Sequence, residues 1–162
     1  MEALRTLYVG MPLDLGIALA LFAALLAYNS TLGKNRAVSL LTALYIAGAV
    51  AMLAPAIGFL DSVLPLDPRF LPVGVFALLA AITYGVIVRS SFFDPYIVPS
   101  GWELGLFSFL HAIVIIVVVV SLLPASVTDG FSANFARVFM DPTIRSVLIV
   151  IPLAVLAVLR GK

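Results

Sequence analysis

The chain has 162 residues, 64% of them hydrophobic and 10% charged, with a net charge of +1 and a mean hydropathy of +1.24. A soluble domain needs far more polar surface than this, and so small a net charge gives no basic field for nucleic acid. There is no cysteine, which removes disulfides and thiol chemistry, and the single histidine, His111, has no carboxylates near it at metal-ligand spacing.

A helix needs about 20 mostly apolar residues to cross a hydrocarbon core of roughly 30 Å. Five stretches approach that length: Leu13–Tyr28, Ala37–Leu60, Phe70–Val88, Leu104–Leu123 and Ser146–Leu159. The first opens at Pro12 and Asp14. It runs on without a small-x-small cleavage site, so it reads as a retained span rather than a cleaved signal. Asn29-Ser30-Thr31-Leu32-Gly33 closes it, and Lys34, Asn35 and Arg36 make a short polar turn. The second stretch carries Pro55 and gives way to a loop from Asp61 to Arg69, broken by Pro65 and Pro68. After the third, the segment FFDPYIVPSGWE mixes prolines with Phe92, Phe93, Tyr96 and Trp102, a composition suited to the headgroup zone.

Pro124 stops the fourth stretch. Beyond it Phe131, Phe135 and Phe139 recur every four residues, an apolar stripe that either lies flat in the interface or packs onto the bundle. Asp141-Pro142 ends that short helix before the last apolar run. The fold expected is all-α: residues 1–162 form a single integral membrane domain, a polytopic transmembrane helix bundle with four to five spans and a short interfacial amphipathic helix. With five spans and the N-terminus outside, Lys34, Arg36, Arg89, Arg160 and Lys162 fall inside, against Arg5, Arg69, Arg137 and Arg145 outside.

Small residues recur at four-residue spacing as Ala43, Ala47 and Ala51 and as Ala77, Ala81 and Gly85; Gly105 and Ser108 put a similar face on the fourth span. Such strips let helix backbones approach, within one chain or between chains. Two ionisable groups stand out. Asp14 heads the first span, either as a carboxylate favoured by the helix dipole or as a buried acid paired across the bundle. His111 lies one step from Ser108 and eight residues from Glu103. It is either a hydrogen-bonded neutral ring or part of a proton relay with Glu103 and Asp14.

Asp14 at the head of the first span, the turn Gly33-Lys34-Asn35-Arg36, and the run Ala37-Val38-Ser39-Leu40 that starts the second resemble the colicin V production protein family. These are small proteins of the bacterial cytoplasmic (inner) membrane. In that family an Asp-Arg-x-x-Gly pattern introduces the fourth helix; here Leu104-Gly105 match its end, while Gly101 and Trp102 replace the Asp-Arg pair. The resemblance implies a factor supporting toxin production or export, or envelope maintenance. With no nucleophile–base pair, phosphate loop or metal cage in the sequence, the expected role is non-enzymatic, without cofactor or metal. Its partners would be the lipid bilayer and other membrane chains or copies of itself. The alternatives are a small transporter or channel protomer and a structural subunit of a membrane complex. The positions singled out are Asp14, Gly33, Arg36, Ser39, Gly105 and His111.

Overall fold

The computed structural model describes residues 12–32, 34–53, 67, 69–90 and 100–160. All regular structure among them is helical: α1 Leu13–Leu32, α2 Lys34–Leu53, α3 Leu71–Arg89, α4 Gly101–Leu122, α5 Ala125–Thr128, α6 Ala133–Phe139 and α7 Pro142–Arg160. Gly33, residues 54–60 of the expected second span, most of the loop from Asp61 to Arg69 and the surface segment through Phe92, Phe93 and Tyr96 lie outside the described residues.

Four helices (13–31, 35–53, 71–89 and 101–122) are long and apolar enough to cross a membrane. The bent pair Ala133–Phe139 and Pro142–Val158, 62° apart, makes a fifth if counted as one broken span. Large apolar side chains face outward along the bundle, among them Ile17, Leu78, Ile82, Val86 and Val147. In water that surface would be untenable; in lipid it is the ordinary exterior.

The helix ends correct the expected boundaries, each for a local reason. The first helix does not stop at Tyr28. Ser30 and Thr31 donate their hydroxyl protons back to Ala27 O and Tyr28 O, at 2.6 and 2.7 Å, which lets polar residues stay helical in an apolar setting. Lys34, Asn35 and Arg36 are not a turn but the first turn of α2. The fourth helix starts three residues early because Ser100 and Glu103 form a capping box, with Ser100 N donating to Glu103 Oε2 at 3.0 Å. The last starts four residues early: Asp141 Oδ1 accepts from Thr143 N at 2.8 Å and Ile144 N at 3.1 Å, and Pro142 takes the first helical position.

α4 is the central element, packed against α1, α2 and α7, while α3 packs mainly on α2. Leu41, Leu44, Ala47 and Ala51 of α2 meet Phe76 and Ala80 of α3 and Leu110, Val114 and Val118 of α4 in one core. The strip Ala43, Ala47, Ala51 is therefore used inside the chain, and Gly48 beside it permits a still closer approach. A Cβ at Gly48 would stand 2.9 Å from Val118 Cγ2. Ala77, Ala81 and Gly85 instead face outward, and nothing lies within 4 Å of a Cβ built at Gly85. The same is true at Gly105, while Ser108 on the same face is fully buried and meets Asn29 of α1.

Candidate functional site

Two clusters of polar side chains are buried in this apolar bundle, one at each end of α1. Among α1's described side chains only Asp14, Leu25 and Asn29 are buried. A helix with so little apolar packing must be held by something else, and polar ties are the main attraction available in lipid.

The first tie is Asp14. Its Oδ2 accepts from Ser132 N at 2.8 Å and from Ser132 Oγ at 2.7 Å, and its Oδ1 accepts from Leu15 N at 2.8 Å. Ser132 is the N-cap of α6, and its Oγ accepts in turn from Phe135 N at 3.4 Å. The aspartate thus fixes the start of the short helix across the bundle. Beyond it Phe131, Phe135 and Phe139 stack in sequence, with ring centroids 5.1 and 4.6 Å apart. These rings are half-buried while Asn134, Arg137 and Val138 are exposed, and α6 packs on α4 and α7. Its apolar stripe faces the bundle.

The second tie joins α1, α2 and α4. Asn29 Nδ2 donates to Ser108 Oγ at 3.0 Å and lies 3.3 Å from His111 Nδ1. His111 Nε2 lies 3.0 Å from Ala37 O, and Ser108 Oγ donates to Leu104 O at 2.8 Å. Asn29, Ser108 and His111 are all essentially inaccessible. Ser39, two residues past Ala37, is also fully buried and donates to Asn35 O at 2.9 Å within its own helix. Arg36 is exposed on the outer side of that first turn. At this end Tyr84 of α3 pairs with Tyr28, with Arg36 near them, and Trp102 is exposed at the start of α4; such a belt marks a headgroup level.

The relay partners are not brought together. Asp14 is fifteen residues from Asn29 along α1, roughly 22 Å at 1.5 Å per residue, and Glu103 serves the cap of α4. Asn29, read from sequence as a helix terminator, is the residue that completes the histidine's surroundings. A polar residue within a helical turn of a span's end was the signal, and cap preference masked it. Among the described residues no group of three or more His, Asp or Glu side chains is arranged to hold a metal.

Contacts give the relative directions. Asn29 meets the first half of α4, while Asp14 reaches Ser132 beyond the other end of α4, so α1 and α4 run antiparallel. Arg145 Nη1 donates to Ser121 Oγ at 3.3 Å and the Tyr45 hydroxyl donates to Ile149 O, so α7 climbs back along α4 and α2 toward the Arg36 end.

No family model matches the chain, and neither does any curated protein or solved structure. Fold and site together define a multi-pass α-helical membrane protein.

Proposed function

We propose that the chain is a non-enzymatic protein of the bacterial cytoplasmic membrane that supports toxin production or export, or maintenance of the envelope, as its resemblance to the colicin V production family implies. One observation carries this reading. The polar side chains inside the bundle bind helices to one another: Asp14 ties α1 to the head of α6, and Asn29, Ser108 and His111 tie α1 and α2 to α4. Such groups favour an assembly role over chemistry. The outward strip of Ala77, Ala81 and Gly85 offers a face for other membrane chains or a second copy.

The test is a strain lacking the chain, scored for toxin export and for survival under envelope stress, with and without the restored gene. Loss and recovery of either trait supports the proposal. An unchanged strain in both assays overturns it. A transporter or channel protomer is the second reading, favoured by Pro152 inside α7 and the 62° bend before it, since broken helices often line permeation paths. Solute or ion flux through liposomes containing the purified chain would put that reading first.

A further inference from the structure

At the end of the bundle where α1 stops and α2 begins, positive charge collects without an acid to match it. The first turn of α2 holds Lys34 and Arg36 and no acidic residue. A helix start carries the positive end of the backbone dipole, so a guanidinium there is repelled by its own helix rather than held by it. Arg36 is exposed, and so is Arg89 in the last turn of α3. Among the described residues neither arginine makes an ion pair, and Glu103, the acid that α4 brings to this end, serves the cap of its own helix.

The packing of α3 on α2 sets the two arginines at one level. Phe76 lies against Gly48, 3.9 Å from a Cβ built there, and Tyr84 comes near Arg36, so the two helices run antiparallel. Arg36 is twelve residues from Gly48 and Arg89 thirteen from Phe76, which leaves them within about 1.5 Å of the same height. Beside Arg36 stand the Tyr28 and Tyr84 hydroxyls, paired with each other. Such a pair uses one hydroxyl proton and leaves one free; Tyr84 is half-buried, while Tyr28, 43% exposed, can offer its proton outward. Trp102, exposed at the start of α4, marks the same headgroup level. Toward the bilayer centre on α3, Ile82 and Val86 are exposed and nothing lies within 4 Å of a Cβ built at Gly85, so open apolar surface continues from the cations into the membrane.

We infer that Arg36 and Arg89, with the Tyr28 hydroxyl, form a docking surface for the phosphate of an anionic phospholipid, whose acyl chains lie along the outer face of α3. The charges choose the partner. A guanidinium matches two phosphate oxygens with paired N–H groups, and a phosphodiester supplies the anion that both arginines and the start of α2 lack. A zwitterionic lipid brings its own ammonium to the same place and gives back much of that gain; an anionic headgroup does not. A soluble phosphate would meet the arginines but make no use of the apolar face.

The test is lipid titration of the full-length chain in detergent micelles, read by native mass spectrometry, with phosphatidylglycerol, phosphatidylcholine and, as a competitor, inorganic phosphate. Phosphatidylglycerol should bind more tightly than phosphatidylcholine. Arg36→Gln combined with Arg89→Gln should weaken phosphatidylglycerol about tenfold and leave phosphatidylcholine unchanged. Arg36→Lys with Arg89→Lys, which keeps the charge, should recover most of the difference, and Arg137→Gln, at an exposed arginine of the opposite end, should change nothing. Equal retention of the two lipids by the unaltered chain, or a preference that survives the double glutamine variant, would overturn the inference. So would displacement of phosphatidylglycerol by inorganic phosphate, the mark of a soluble-anion site. A second chain held in place of lipid and released by the double variant would overturn it too, as the mark of a contact between copies.

Discussion

Tyr45 and Pro152 illustrate how a side chain from one helix can hold a weakened turn of another inside lipid. Pro152 lies within α7, cannot donate to the carbonyl of Leu148, and crowds the preceding turn. The Tyr45 hydroxyl donates to Ile149 O, the next carbonyl in that same turn, and so ties the loosened turn to α2 without filling the vacancy at Leu148 O. Tyr45→Phe should therefore destabilise the bundle by about 1 kcal/mol. In a Pro152→Ala background, where the ladder is whole, the loss should shrink; unfolding titrations in mixed micelles of the two single variants and the double variant measure that coupling. Equal losses in both backgrounds would show that the two residues act independently. Gly48 is the other telling position, because its missing side chain is what admits Val118. Gly48→Val should cost about 1–3 kcal/mol by overpacking, whereas Gly85→Val, facing open space, should leave the same titration nearly unchanged. The sequence marked the alanine strip on α2 but could not single out Gly48, since contact partners from α4 decide which small residue is indispensable.

At the scale of elements, α1 differs from its neighbours in being fastened at its two ends. Leu25 is its one buried apolar side chain among those described, and Asp14 and Asn29 provide the ties. Interhelical hydrogen bonds of this kind contribute about 0.6 kcal/mol on average in membranes and at most about 1.7, so removing one should loosen α1 and removing both should free it. A cysteine placed at Leu25 in the otherwise cysteine-free chain reports this through its rate of alkylation. The rate should rise modestly with Asn29→Leu and sharply when Asp14→Leu is added; an unchanged rate in the double variant would mean that apolar packing alone holds the helix. The existence and order of the long helices were legible in the hydrophobic runs, because span length is set by bilayer thickness. The ends were less so. Ser30, Thr31, Ser100 and Asp141 can either stop a helix or support it, and only hydrogen bonds to particular carbonyls and amides decide which.

For the whole molecule, the direction of α7 gives an expected topology. It runs from the Asp14 end toward the Arg36 end, so a reporter fused after Arg36 and another after Lys162 should read the same side of the membrane. Opposite readings would mean that α7 does not cross and that the body has four spans. The site was legible only in part. Asp14, Ser39 and His111 could be picked out as polar residues in apolar runs, but Ser132, which meets Asp14, and Asn29 and Ala37 O, which meet His111, lie 118, 82 and 74 residues away, separations that no local pattern carries. The central claim is that these groups hold the bundle together and do not move protons. Its most direct test is complementation of the deletion strain by Asp14→Asn, which keeps one oxygen to accept from Ser132 and loses only the acceptor for Leu15 N, and by His111→Gln; both remove the titrating group, and membrane levels are measured in parallel. Near-normal toxin export and stress survival at wild-type protein levels is the predicted result; complete loss of function by both variants at those same levels would contradict it.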